Sequence, residues 1–260
     1  MIIGGNQRVE LRDDRSGTRS TVRRVGVQKM MIDAVDPDEK WLYRVGGISA
    51  LILGLAYIAT IALYVPVGAP PSGAEARLTY LAGKTRVWWA ILALSVLTDF
   101  LFVPVALSLY LALKRINRNA MLLATACVGL FVVLDLAVTW TSYASLITLS
   151  GTYAAATSDA QRAVVVAAAN YPSAVLESRL LGVYAILVPA VGILMTSVVM
   201  LKGIFSKTTA YLGLVAGILG IIAVAGPFFV RSLGAAVIMS SVITTVWVLF
   251  VGYRLYRLGR

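Results

Sequence analysis

Histidine is absent from this 260-residue chain, and cysteine occurs once, at Cys127. Without imidazole there is no His-based zinc site, no Ser–His nucleophile and no histidine pH switch. One cysteine allows no intrachain disulfide, and Cys127 lies in an apolar run, where a thiol behaves as a small hydrophobe. Acidic residues are scarce: 12 Asp and Glu stand against 23 Lys and Arg, a formal net charge of +11. In a soluble protein that excess would point to nucleic acid. Here most cations flank long apolar runs, the pattern of topology signals and of contacts with anionic headgroups, so no nucleic-acid partner is expected. No Walker motif is present, which leaves no basis for ATP-driven chemistry. No lysine lies deep in an apolar run, which argues against a retinal Schiff base. The first 40 residues contain no apolar stretch long enough for a signal peptide.

What the chain has in abundance is apolar length. It is 59% hydrophobic, against about 45–50% in soluble domains, with a mean hydropathy of +0.85. A membrane helix needs about 20 predominantly apolar residues. Six segments qualify: 43–65, 87–113, 119–149, 173–201, 209–230 and 233–253. The expected fold is therefore all-α, a polytopic bundle of six transmembrane helices with a short outer helix. Residues 41–260 form this domain. Residues 1–40, with eight Lys/Arg and seven Asp/Glu in blocks, read as a cytoplasmic tail too poor in apolar surface to fold alone. Met30 and Met31 stand shortly before the first span, where an alternative start is to be considered.

Cation placement orients the bundle. With the N-terminus inside, the inner loops carry Lys114, Arg115, Arg118, Lys202 and Lys207, and the C-terminus adds Arg254, Arg257 and Arg260. The outer loops carry Arg77, Lys84, Arg86, Arg162 and Arg231. The inner side has more, so both termini are expected in the cytoplasm and the protein in a bacterial cytoplasmic membrane. Trp41, Tyr43, Trp88, Trp89, Tyr253 and Tyr256 fall at predicted span ends, where amphipathic rings favour the headgroup level.

The outer loops differ. Residues 66–86 are rich in proline, glycine and charge. Residues 150–172 carry a helix signal: Ser158 with Gln161 three residues on is a capping box, followed by Ala163–Ala169, and Asn170-Tyr171-Pro172 is expected to end it. That helix is expected to lie on the outer surface or to cap the bundle. No internal repeat stands out, and an inverted three-plus-three arrangement stays open.

Ionisable groups inside spans are costly, about 2.5–3.5 kcal/mol for a central Asp, and need a partner or a role. Asp99 and Asp135 fall near the middle of the second and third spans. Ser95 and Asp99 share a face, and Pro104 leaves the Phe100 carbonyl without its helical donor. Asp135, Thr139 and Ser142 form a stripe at i, i+4, i+7 that is expected to face the bundle interior. Glu177 and Arg179 open the fourth span, with Glu177, Leu181 and Tyr184 on one face, and Pro189 is expected to bend that helix. Together Asp99, Asp135, Thr139, Ser142, Glu177, Arg179 and Tyr184 suggest a polar interior pocket opening outward. Facing carboxylates would share a proton or hold a cation, and an amine-bearing ligand fits equally.

Structural pairing is the competing reading for both the Asp pair and Glu177–Arg179. The hydroxyls of Ser240, Ser241, Thr244 and Thr245 read mainly as backbone-bonded. Gly213-Leu214-Val215-Ala216-Gly217 allows close helix approach, more within the chain than between copies. No catalytic residue, metal ligand or cofactor is assigned. An intramembrane hydrolase using the two aspartates is conceivable, but neither Asp follows a Tyr or a Gly as in aspartyl membrane proteases.

Certain motifs are similar to those of a known family. They are Arg44-Val45-Gly46-Gly47, Asp99, Pro104, the run Ser108 to Lys114, Glu177, and Thr209-Ala210-Tyr211-Leu212-Gly213 with Gly217. Across residues 41–256 the chain resembles a bacterial six-helix membrane family classed as a domain of unknown function. The resemblance implies fold and membrane location and no activity. The leading expectation is a membrane protein whose interior cavity binds, senses or transports a small molecule, lipid or cation, with membrane lipids as its surroundings. The alternative is an accessory protein acting through helix contacts, as a homo-oligomer or with a partner membrane protein. An enzyme acting on lipids is the third reading, and a non-enzymatic role is favoured.

Overall fold

The computed structural model describes residues 39–260, so the expected N-terminal tail lies almost wholly outside the described residues. The helices in chain order are α1 (Lys40–Val67), α2 (Ala74–Ala82), α3 (Thr85–Leu113), α4 (Arg118–Ala155), α5 (Asp159–Glu177), α6 (Arg179–Met200), α7 (Lys207–Ala225) and α8 (Ala236–Leu258). Short 3₁₀ turns at Gly226–Phe228 and Arg231–Ala235 join α7 to α8. Among the described residues there is no strand, and six helices are long and apolar enough to cross a membrane.

These six carry continuous exposed apolar faces. Examples are Leu55, Ile58 and Ile61 on α1, Phe100, Val103 and Leu107 on α3, and Ile238, Val242 and Val246 on α8. In water such surface would be a severe aggregation liability. Against lipid tails it is the expected outside, and the chain is a multi-pass membrane protein. Helices keep most backbone groups bonded within each span, as hydrocarbon demands.

Each spanning helix packs on the next in the chain, α1 on α3, α3 on α4, α4 on α6, α6 on α7 and α7 on α8, and α8 closes on α1. The result is a ring. Without a hydrophobic force between helices in lipid, close backbone approach does much of the joining, and small residues sit where it occurs. At the α1–α8 seam a side chain on Gly47 would collide with the Tyr256 backbone. One on Gly252 would meet Ala50 Cβ and the Gly47 carbonyl oxygen, each at 3.0 Å. Gly213 faces Ser197 and Trp247, and Gly217 faces Leu194 and the Ala190 carbonyl. The small-residue motif on α7 therefore packs within the chain, as expected.

Two short helices lie at the end of the ring away from the start of α1 and the finish of α8. The sequence reading anticipated one. The second, α2, forms in the segment expected to be loop because Arg77, Leu78 and Leu81 bury one face after the Pro70-Pro71-Ser72-Gly73 turn. Leu78 and Leu81 join Trp88 and Ile91 of α3, Leu146 and Ile147 of α4, and Val165, Ala169 and Leu176 of α5 in one apolar cluster. Helix α4, 38 residues long and so about 57 Å at 1.5 Å per residue, outruns a bilayer core of about 30 Å. Its surplus packs against α2 and α5.

Helix α5 starts as expected: Ser158 Oγ accepts from the Gln161 N–H at 3.3 Å. The Gln161 side chain reaches back to the Thr157 N–H at 3.0 Å. It does not end at Pro172. Burial of Val165, Ala169, Pro172, Ser173 and Leu176 on one side carries the helix through the missing N–H to Glu177. The fourth span accordingly begins at Arg179 rather than at residue 173. The chain turns at Ser178, which is extended and caps α6 through Oγ and the Leu180 N–H at 3.1 Å.

Candidate functional site

Two of the six spans contain a turn of π-helix, wound wider than the α-helix around it, and the two turns meet. The first is Asp135–Trp140 in α4 and the second Val183–Leu187 in α6. In α6 the Val188 N–H bonds back to Val183, five residues away, just ahead of Pro189, which has no N–H to offer. The bend expected at Pro189 is thus taken up as a widened turn. Thr139 from the first turn and Tyr184 from the second share a hydrogen bond, 3.2 Å between hydroxyls. Such turns often occur at functional sites because they displace side chains from the regular helical register.

That displacement brings the Trp140 indole N–H to Asp99 Oδ2, 2.8 Å across the α3–α4 contact. Asp99 is 3% exposed and Asp135 5% exposed. The two carboxylates lie within electrostatic reach of each other and of Tyr57 on α1. Asp135 Oδ1 has no hydrogen-bond partner. Ser142 is buried, but its hydroxyl is spent on the Val138 carbonyl at 2.7 Å. An aromatic ladder leads away from Asp99. Trp140 stacks on Tyr143, Tyr143 on Trp88 at 5.2 Å between centroids, and Trp88 meets Tyr64 edge-on at 5.4 Å.

Glu177 and Arg179 stand elsewhere and do not pair. Glu177 Oε1 accepts from the Gly73 N–H at 2.7 Å and from Arg77 Nη2 at 3.2 Å. Arg77 is 5% exposed, and it also donates to the carbonyls of Pro71 and Ser173. It ties the 68–73 turn to the last turn of α5, where the helix dipole favours a cation. Arg179 is exposed and lies over the Phe228 ring at 5.3 Å. An ion pair between residues 177 and 179 fails because the chain turns between them at Ser178, sending their side chains to different helix ends. Both lie away from the interior.

The interior of the ring holds a cavity of about 320 Å³ lined by all six spanning helices. None of the seven residues singled out from the sequence lines it. Its back wall is apolar: Phe102, Phe131, Ala185, Ile186, Pro189, Ala190, Ile193 and Ala216. Its hydroxyls all come from two helices, with Tyr57, Thr60 and Tyr64 on α1 and Ser240, Ser241, Thr244 and Thr245 on α8. Ser240 donates to the Ala216 carbonyl, Ser241 to Val237 and Thr245 to Ser241, so the expected backbone bonding is found for those three. Thr60 Oγ1 is buried without a partner. Toward the chain-end side of the ring, Trp247, Val105, Leu109 and Met121 fill the interior and leave only about 20 Å³. Asp99 and Asp135 do not line the cavity. Tyr57, Thr60 and Tyr64 follow the i, i+3, i+7 spacing of one helix face, a polar stripe in an apolar span that the sequence does contain.

No group of three or more acidic or cysteine ligands for a metal occurs among the described residues. The model of a family described as a domain of unknown function (DUF4386) matches residues 45–255, and the chain belongs to that family. No curated protein and no solved structure matches it.

Proposed function

We propose that this DUF4386 membrane protein binds a small molecule inside its helical ring. The observation that carries the reading is the cavity of about 320 Å³ bounded by all six spans. Its size falls within the roughly 300–1,000 Å³ range of small-molecule sites, and its mostly apolar wall with a few hydroxyls is the usual lining of one. A ring held together only for accessory helix contacts would have no reason to leave this space unfilled, since membrane bundles are packed by van der Waals contact.

The same reading places the cavity in the outer half of the membrane. Lys114, Arg115, Arg118, Lys202 and Lys207 occupy the loops at the end of the ring where α1 starts and α8 finishes, and a cation-rich end faces the cytoplasm. In this proposal Asp99 and Asp135 hold the wall from behind through Trp140 and the two π turns. A second reading, in which the carboxylates themselves hold a cation or an amine, is favoured by the unpartnered Asp135 Oδ1.

Native mass spectrometry of the purified protein beside Ala185→Phe is the test. Ala185 lines the cavity and is only partly buried, so a larger ring there fills the space with little clash. The expected result is a co-purifying mass in the wild type that is lost in a folded, monodisperse Ala185→Phe. A bound mass that survives the filling of the cavity would overturn the assignment.

A further inference from the structure

We infer that the cavity takes an uncharged lipid whose compact head carries carbonyl acceptors, the chemistry of a prenylated quinone, admitted sideways from the bilayer between α1 and α8. This rests on the reading of the cavity as a ligand site and names its ligand class.

The entrance follows from how the two helices pack. Toward the chain ends, Gly47, Ala50 and Gly252 let α1 and α8 touch backbone to backbone. Farther along, the side chains between them are the cavity-lining Thr60, Ile61, Val237, Ser241 and Thr244. Ile61 and Ser241 line the cavity and are exposed on the lipid-facing surface. The cavity therefore communicates with the hydrocarbon along this seam, and a tail can remain in the bilayer while a head sits inside.

The lining sets the chemistry of that head. No charged side chain lines the cavity, and an unpaired ion in such a place would be strongly disfavoured. At about 30 Å³ per water-sized group, the volume holds about ten such groups, a ring system rather than a whole lipid. Tyr57 meets Phe102 edge-on at 6.2 Å and Phe102 meets Phe131 at 5.6 Å, an aromatic wall that suits a flat ring. The Tyr57, Tyr64 and Thr244 hydroxyls line the cavity and have protons to donate, and a carbonyl oxygen is the complement.

The test adds a prenylated 1,4-naphthoquinone, the same ring without its tail, or a diacyl phospholipid to detergent-purified protein stripped of bound lipid, and reads adducts by native mass spectrometry. The expected result is one equivalent of the prenylated quinone. The tail-less ring should bind more weakly, and Thr244→Val should lose about fivefold, one neutral hydrogen bond. Ile61→Trp, placed at the mouth on an exposed position, should slow uptake without unfolding the protein. If phospholipid or another mass occupies the cavity and is displaced by Ala185→Phe while the quinone does not bind, the ligand class is wrong and the cavity reading stands. If the quinone adduct is indifferent to both Ala185→Phe and Ile61→Trp, it binds outside and the inference falls. If nothing binds at all, both readings fall.

Discussion

Asp99 offers the sharpest separation between a positioning carboxylate and a ligand-holding one. Its Oδ2 accepts from the Trp140 indole at 2.8 Å, and it is 3% exposed. Asp99→Asn keeps an oxygen acceptor of the same shape and removes the ionisable carboxyl. Asp99→Leu keeps the branched shape in a somewhat larger side chain but leaves the indole N–H without a partner. An orphaned buried donor costs about 1–3 kcal/mol in water-soluble proteins, while hydrogen bonds between membrane helices average about 0.6 kcal/mol. Asp99→Leu is therefore expected to lose about 1–2 kcal/mol. For a chain of this size that corresponds to about 3–6 °C in melting temperature. Asp99→Asn should melt at or above the wild-type temperature. Thermal unfolding followed by intrinsic fluorescence in mild detergent reads both. Trp140→Phe completes a double-mutant cycle, in which Asp99→Leu should cost little once the indole is gone. The positioning argument is refuted if Asn and Leu are equally destabilising, or if the cycle shows no coupling. If Asp99→Asn melts like the wild type but loses the co-purifying ligand, the carboxylate charge itself is being used and the cation reading takes over.

Three further outcomes follow from the packing. Gly252→Ala puts a methyl 3.0 Å from the Gly47 carbonyl oxygen and the Leu51 nitrogen, backbone atoms that cannot rotate away, so it should cost about 1–3 kcal/mol; a neutral effect in thermal unfolding would show that α1 and α8 are not held by that seam. Arg77→Met removes the shared donor of Pro71, Ser173 and Glu177 and should loosen the cap formed by α2 and α5. Limited proteolysis in the 68–73 turn should accelerate while the spans stay intact, and an unchanged rate would mean the cap is held by its apolar cluster alone. Tyr184→Phe breaks only the hydroxyl contact to Thr139. It should lower the melting temperature by about 1–3 °C, from about 0.6 kcal/mol, and a larger loss would assign the π turns more than a packing role.

Apolar length and cation placement are properties of a chain read along one dimension, so the six spans were legible without a structure. Lipid reinforces this, because it leaves helices as the only way to satisfy the backbone of such runs. Capping at Ser158 and close packing at Gly213 and Gly217 were also legible, since both act within a turn or two. What failed was local signal outweighed by burial. Pro172 did not end α5 because its neighbours pack, and α2 formed in a proline- and glycine-rich segment because Leu78 and Leu81 had a cluster to join. The residues of the candidate site are a different case. Rare charged residues draw attention in an apolar sequence, yet Asp99 and Asp135 do not line the cavity, and Glu177 and Arg179 part at a turn of one residue. The cavity is made where six helices do not touch, and residues of the widened turn in α6 and of α1 and α8 line it. Those are relations between elements distant in the chain, which no single stretch of sequence encodes. Apolar runs along the chain suffice for a six-span membrane protein, whereas the hollow inside it exists only once distant helices have packed.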